Sequence, residues 1–328
     1  MQRAATPYIA RGDLARLRQL RLLPNLVKIP LFFALMAAFG LLAWQADSPA
    51  VLWAAYIGLG YMWMGMVTFM HDALHYTLFR HRLSNWAFGV LCMVPIFATF
   101  VAFREDHIEH HRHNRSPRDP DAFTMGRRGA LDFVQFYAYA LAGGALSFLY
   151  FNFIYPVKCF RRRQWTIHLF EIALKGLVFW ALLSWAARHG VLDKALGLLL
   201  WPVLVLSLLN SMRFIAEHYG TPWDAGQMAG TRTVISNPVN SFFWNNINWH
   251  IGHHVYPGVP WYNLVELHRL LASQIAASGA PVDRSYVAVY LDALRRGPES
   301  ESQLAARLVE RAARAERGLA AARYPVPD

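Results

Sequence analysis

Between Phe103 and Asn114 the chain reads FREDHIEHHRHN, with His107, His110 and His111 at i, i+3 and i+4. On a helix that spacing sends three imidazoles out of one face, a three-nitrogen platform for a transition metal. The H-x-x-H-H pattern recurs at His250, His253 and His254, and His71 and His75 in HDALH lie one helical turn apart. A lone histidine is usually a surface or packed side chain, and one such pair can arise by chance in a chain with 14 histidines. Three clusters in one chain are not explained by packing.

The elements that must position these clusters are apolar. Of 328 residues 55% are hydrophobic and 16% charged, too apolar a mixture for an ordinary soluble enzyme. The formal charge of +11 and pI near 9.9 suit nucleic acid or an anionic membrane surface. Because the basic residues flank apolar runs, the membrane is the expected partner and nucleic acid is not. The two cysteines, Cys92 and Cys159, form neither a disulfide framework nor a Cys-rich zinc site.

Residues 1–28 carry six basic side chains, from Arg3 to Lys28, against Asp13, and show no signal-peptide cleavage pattern. They read as a cytoplasmic N-terminal segment. The runs Ile29–Trp44 and Ala50–Met70 form one expected transmembrane hairpin, and Leu169–Ala187 with Val191–Leu209, broken at His189-Gly190, form a second. The run Trp86–Phe103, interrupted by Pro95, should not cross, since a crossing would put the first two histidine clusters on opposite faces. Leu131–Tyr155, with Gly143-Gly144 in its middle, is expected to lie at the interface, a re-entrant helix being the alternative. The expected fold is an all-α integral membrane protein: about four transmembrane helices in two hairpins, interfacial helices and a cytosolic histidine-bearing cap. Residues 29–297 make the membrane domain, and 298–328 a charged Ala/Arg/Glu-rich tail, helical over Ser302–Arg323. The location expected is a bacterial-type inner membrane, with the active side cytoplasmic.

On that topology the exit of the second hairpin delivers His218 to the side of the three clusters. His71, His75, His107, His110, His111, His218, His250, His253 and His254 are then the candidate ligands. Nine nitrogens exceed one tetrahedral zinc and suit two near-octahedral metals, for which two irons are the expectation. Asp72, Asp106, Glu109, Asp119, Asp121 and Asn246 stand near enough in sequence to hold ring tautomers from outside, although capping or plain solvation explains each acid singly as well. His81 and His113 lie off the spacing, and His168, His189 and His268 read as structural.

HDALH, HIEHH and HIGHH, followed by Asp119-Pro120-Asp121 and by Val255-Tyr256-Pro257-Gly258-Val259-Pro260, resemble the three histidine boxes of the membrane fatty acid desaturase superfamily over roughly Met64 to Leu271. The resemblance implies a di-iron centre at the cytosolic face that uses O2 and two electrons on an unactivated C–H bond, with the nine histidines as ligands and His218 the extra one before the third box. Some members carry Asn four residues ahead of that histidine, where this chain has Phe214. Asn246, Asn248 and Glu217 are the open alternatives for that coordination position.

The reading is an O2-dependent acyl desaturase acting on a lipid or acyl substrate. With no haem motif, GxGxxG or Cys-rich iron–sulfur spacing, electrons are expected from a separate ferredoxin-like donor with its reductase. A hydroxylase or carotenoid ketolase of the same superfamily is the alternative, since carotene ketolases have similar boxes. From a different class, a zinc-dependent membrane hydrolase or a metal transporter remains to be distinguished by metal analysis.

Overall fold

A computed structural model describes residues 8–121 and 130–299. In chain order the helices are α1 (Arg11–Leu17), α2 (Leu22–Gln45), α3 (Pro49–Leu74), α4 (Arg82–Cys92), α5 (Phe100–His113), α6 (Ala130–Leu149), α7 (Tyr155–Cys159), α8 (Arg162–Arg188) and α9 (Leu192–His218). After them come the short α10 (Gly226–Ala229), α11 (Pro238–Phe243), α12 (His250–Val255), α13 (Leu264–Leu270) and α14 (Ala272–Ser278), then α15 (Tyr286–Arg296). Two strands of two residues, β1 (Thr233–Val234) and β2 (Val282–Asp283), pair in parallel. The protein is all-α and carries four helices long and apolar enough to cross a membrane, within Arg11–Gln45, Pro49–Leu74, Arg162–Arg188 and Leu192–His218. The chain forms two compact units, and α5, α6 and α9 each run from one into the other.

The unit of residues 21–108 and 138–213 holds the spans. Pro49 starts α3 where a missing N–H costs nothing, and Gly190 in the left-handed region (φ 68°) turns α8 into α9. In the most apolar stretch of each span, 56% of α3 is buried, against 17% for the Arg11–Gln45 span and for α8 and 22% for α9. So α3 is the central helix, and side chains such as Leu23, Trp180 and Leu204 face outward, which lipid accepts and water would not. Gly60 allows the close approach of α3 and α9: a Cβ there would lie 2.6 Å from Val205 Cβ and 2.7 Å from the Pro202 carbonyl. The first span begins at Leu22, earlier than the expected Ile29, so Lys28 is inside the helix, its ammonium 5.8 and 5.7 Å from the rings of Phe32 and Phe69.

Helices α4 and α5, of 11 and 14 residues, are too short to cross, and a turn with Phe97 at φ 52° separates them. The 131–155 stretch is not one unbroken interfacial helix; its bent pair has the form of the re-entrant alternative or of a broken span. It bends by 94° between Ala130–Gly144 and Leu146–Cys159, and the second arm contains a π-helical turn at Tyr150–Ile154. The break lies at Ala142 (φ −138°) beside the two glycines, where Gly144 N–H donates to Ser207 Oγ at 2.7 Å.

α8 has its polar side chains inward. Glu171 Oε2 accepts the Phe100 N–H at 2.6 Å, capping the start of α5, and Lys175 Nζ donates to the Ala98 carbonyl and sits 3.9 Å from the Glu171 carboxylate. His168 Nδ1 meets Thr99 Oγ1 at 2.9 Å, its Nε2 meets the Asn152 carbonyl at 3.1 Å, and the Asn152 amide donates to the Phe97 carbonyl at 2.8 Å. The charges that lipid would penalise thus clamp residues 98–100, at the start of α5, the helix that carries the second histidine box.

The described residues of the other unit, 8–20, 109–121, 130–137 and 214–299, pack around Leu17, Met228, Trp249, Ile251, Leu264, Leu267 and Ile275. Buried Arg115 donates to the Thr221 carbonyl and to Glu299 Oε2, both at 2.8 Å, while Glu299 Oε1 accepts the Gly220 N–H at 2.5 Å. The end of the second box is thereby tied to the loop after His218 and to residue 299. The tail helix expected at Ser302–Arg323 lies outside the described residues.

Candidate metal centre

In the membrane unit, α3 ends with His71 in its last turn and His75 as its C-cap, because the Asp72 carbonyl takes the Thr77 N–H (3.1 Å) and hydroxyl (3.0 Å) and closes the helix. His107 of α5 completes a triangle, with ring centroids 5.0 Å (His71–His75), 4.7 Å (His71–His107) and 5.2 Å (His75–His107) apart. Phe103, one turn before His107 on α5, stacks on its ring at 5.6 Å and 10°. The Asp72 carboxylate is 3.9 Å from His71 Nδ1, and Asp106 accepts the Tyr150 hydroxyl at 3.1 Å.

In the other unit, three rings are held by acceptors behind them. His110 Nδ1 lies 2.9 Å from Asp119 Oδ1 and 3.3 Å from Asp121 Oδ2. Asp119 is itself oriented by the N–H groups of Arg115 (2.7 Å) and Asp121 (3.0 Å). His218 Nδ1 is 3.2 Å from the Gly230 carbonyl, and His254 Nδ1 is 3.0 Å from Gln227 Oε1. The Gln227 amide nitrogen donates to the His111 carbonyl, which fixes its oxygen toward His254. A carbonyl or carboxylate at Nδ1 requires the Nδ1–H tautomer, so each ring presents Nε2 as a lone pair. His110, His218 and His254 each place a ring nitrogen within 4.8 Å of the other two. The carboxylates on the Nδ1 side of His110 also make a possible cation cluster with it. At 2.9 and 3.3 Å they are hydrogen-bond acceptors, the arrangement that orients a metal-binding imidazole.

His250 Nε2 lies 3.1 Å from His254 Nε2, and His253 Nε2 lies 3.1 Å from His111 Nε2. Two lone pairs at that distance repel unless a proton or cation lies between them. Burial, then the neighbouring His111, His250, His218 and His110, holds His254 well below the usual imidazole range, so the ring is neutral at pH 7, the form that ligates. The donor set therefore fits a transition metal: neutral nitrogens, fixed tautomers and oxygen acceptors behind them. Replacing Asp119 with Ala should weaken metal binding by about 10- to 100-fold, measured by iron retained against a chelator, while Asp119→Asn costs less.

The acceptors of the other sequence candidates are local. The Asn246 amide donates to the Trp261 carbonyl at 3.1 Å, and the Asn248 amide to the Ile235 carbonyl at 3.0 Å and Ser241 Oγ at 3.1 Å, so both brace the loop before the third box. His81 is the exposed N-cap of α4, and His113 sits 3.5 Å from Glu109. His268, pushed down to about 4 by burial, lies 4.8 Å from the Trp249 ring in the core. Gln227 and the Gly230 carbonyl were not legible in the sequence, whereas Phe103 could have been found from its i, i+4 spacing to His107.

Comparison with known proteins agrees with this geometry. The fatty acid desaturase family model matches residues 47–286. The chloroplastic omega-6 fatty acid desaturase of Glycine max is 20% identical over 244 residues, covering 66% of this chain and 55% of that protein. The zeaxanthin 4-ketolase of Chlamydomonas reinhardtii is 25% identical over 241 residues, covering 71% and 48%. The chain spans about half the length of these curated relatives. With a family model covering all three histidine clusters and three of the four candidate spans, this chain belongs to the fatty acid desaturase family.

Proposed function

We propose that the protein is a membrane-bound, O2-dependent di-iron desaturase that places a double bond in a fatty acyl chain. The observation that carries this is the set of imidazoles of His110, His218 and His254, whose Nδ1 atoms are held from behind and which bring ring nitrogens within 4.8 Å of one another, with His218 at the end of an apolar span. The nine histidines are the ligands: His71, His75 and His107 in one unit; His110, His111, His218, His250, His253 and His254 in the other. Bound iron would supply the reduction of O2 and the oxidation of a C–H bond. The overall change, –CH2–CH2– plus O2, two electrons and two protons giving –CH=CH– and two waters, needs a donor, for which a ferredoxin-like protein with its reductase is the proposal.

The chain's own residues do the rest. Asp119, Asp121, Gln227 and the Gly230 carbonyl hold protons on Nδ1 and so keep the inward nitrogens basic. Outward-facing apolar side chains seat the spans in lipid, where an acyl substrate resides. The basic residues after the first box support a cytoplasmic location of the histidine-bearing ends, by the excess of Lys and Arg expected on that side of a bacterial-type inner membrane.

The zeaxanthin 4-ketolase similarity supports a second reading, oxygenation of a carotenoid ring. Expression in one host with a defined lipid composition and in one that accumulates carotenoids, each with and without O2, separates the two. New O2-dependent unsaturated acyl chains are expected. A keto-carotenoid would move the assignment to the second reading, and zinc-loaded protein with neither product would reject both.

A further inference from the structure

We propose that the corner between α7 and α8 binds the headgroup of an anionic phospholipid, with Lys158, Arg161, Arg162 and Arg163 as its cations. The proposal rests on the membrane spans and not on the metal centre, so the two fail separately. Through this corner of the membrane unit the chain turns pairs of side chains in and out. Phe151 and Asn152 are buried, Phe153 and Ile154 exposed, Tyr155 and Pro156 buried, Val157 and Lys158 exposed. Val157 at 76% and Phe153 at 56% exposure are surfaces that acyl chains accept and water does not. Leu169 and Phe170, early in the α8 span, are exposed as well.

The cations follow directly on this apolar stretch. All four are exposed, and no Asp or Glu occurs between Asp132 and Glu171. Among the described residues none of the four forms an ion pair. Glu171 already faces Lys175, and Glu105, which the Gln164 amide reaches at 3.0 Å, already faces Arg104. The corner is nevertheless a built one. Gln164 Oε1 accepts the Arg161 N–H at 2.7 Å, and the Phe160 ring packs on Tyr155, Trp165 and His168 with centroids 5.8, 5.9 and 5.5 Å away. Four like charges held together repel one another, and an anion among them offsets that cost. A phospholipid does so with its phosphate while its acyl chains lie on Phe153, Ile154 and Val157. An acidic protein would meet the charges but not the apolar side chains beside them.

The test titrates the purified full-length protein with phosphatidylglycerol or phosphatidylcholine of the same acyl chains and counts retained lipid by native mass spectrometry. A photoactivatable phosphatidylglycerol maps the site. Phosphatidylglycerol is expected to be held at least about 10-fold more tightly, less so at high salt, and to label residues 153–170. Changing Lys158, Arg161, Arg162 and Arg163 to Gln should remove that preference and leave iron per protein unchanged, while changing the three arginines to Lys should keep it. Equal retention of the two lipids, labelling confined to other segments, or displacement by an equal concentration of inorganic phosphate would each overturn the proposal. A Gln variant that keeps its phosphatidylglycerol but no longer accepts electrons from its donor would overturn it too and give the cations to an acidic protein. If the Gln variant does not fold, the lipid preference and the labelled segment of the unmutated protein decide.

Discussion

His110→Ala is expected to abolish turnover and to release iron from the purified protein. Removing an outer acceptor of a ligating histidine costs about 10- to 100-fold, so losing a ring proposed as a ligand should cost more than about 100-fold in affinity. The ring is also the hydrogen-bond partner of two buried or half-buried carboxylates, Asp119 and Asp121, whose charges its loss would leave facing each other. The control is His268→Asn, another buried histidine that packs against Trp249 away from the converging rings. That change should lower the melting temperature while iron per protein stays constant. A His110→Ala protein that keeps its iron and its turnover would remove the basis for assigning this cluster to metal.

The second large effect is expected at α8. Glu171→Leu leaves Lys175 buried beside the Ala98 carbonyl with its carboxylate removed, and uncaps the N–H of Phe100. Breaking one side of a buried pair costs about 3–5 kcal/mol. Thermal unfolding in detergent should show that loss. The double change Glu171→Leu with Lys175→Met removes both charges and should recover much of the stability, since a buried ion pair replaced by apolar groups is often neutral. Iron affinity should stay low in the double variant, because the start of α5 has lost its clamp and that helix carries His107, His110 and His111. Full recovery of both would mean that the pair serves stability alone, and a silent single variant would mean that it serves neither.

The role of this clamp was not readable from spacing. Glu171 and Lys175 could be placed in the sequence as charges that either reach the membrane edge or face protein. Which occurs depends on whether another segment offers a backbone donor and acceptor at that depth, and residues 98–100 do so from about 70 positions away. The same holds for the candidates around the boxes. Asp119 and Asp121 turn back on His110 within a tight loop, so their part was accessible from the motif. Asn246 was an equally reasonable choice on paper, but its backbone takes a left-handed conformation (φ 51°) and its amide reaches the Trp261 carbonyl.

By itself the sequence determined the four spans and the histidine ladders, and through them the family. A run of apolar residues long enough for a bilayer is a property of neighbours along the chain, and so is an i, i+3, i+4 face. The tertiary structure decided what stands behind and between the rings: Gln227 behind His254, the Gly230 carbonyl behind His218, Glu217 against His250, and the break of the 131–155 helix. Those depend on loop paths and rotamers that bring together groups far apart in the sequence, and the chain's local periodicity carries no record of them.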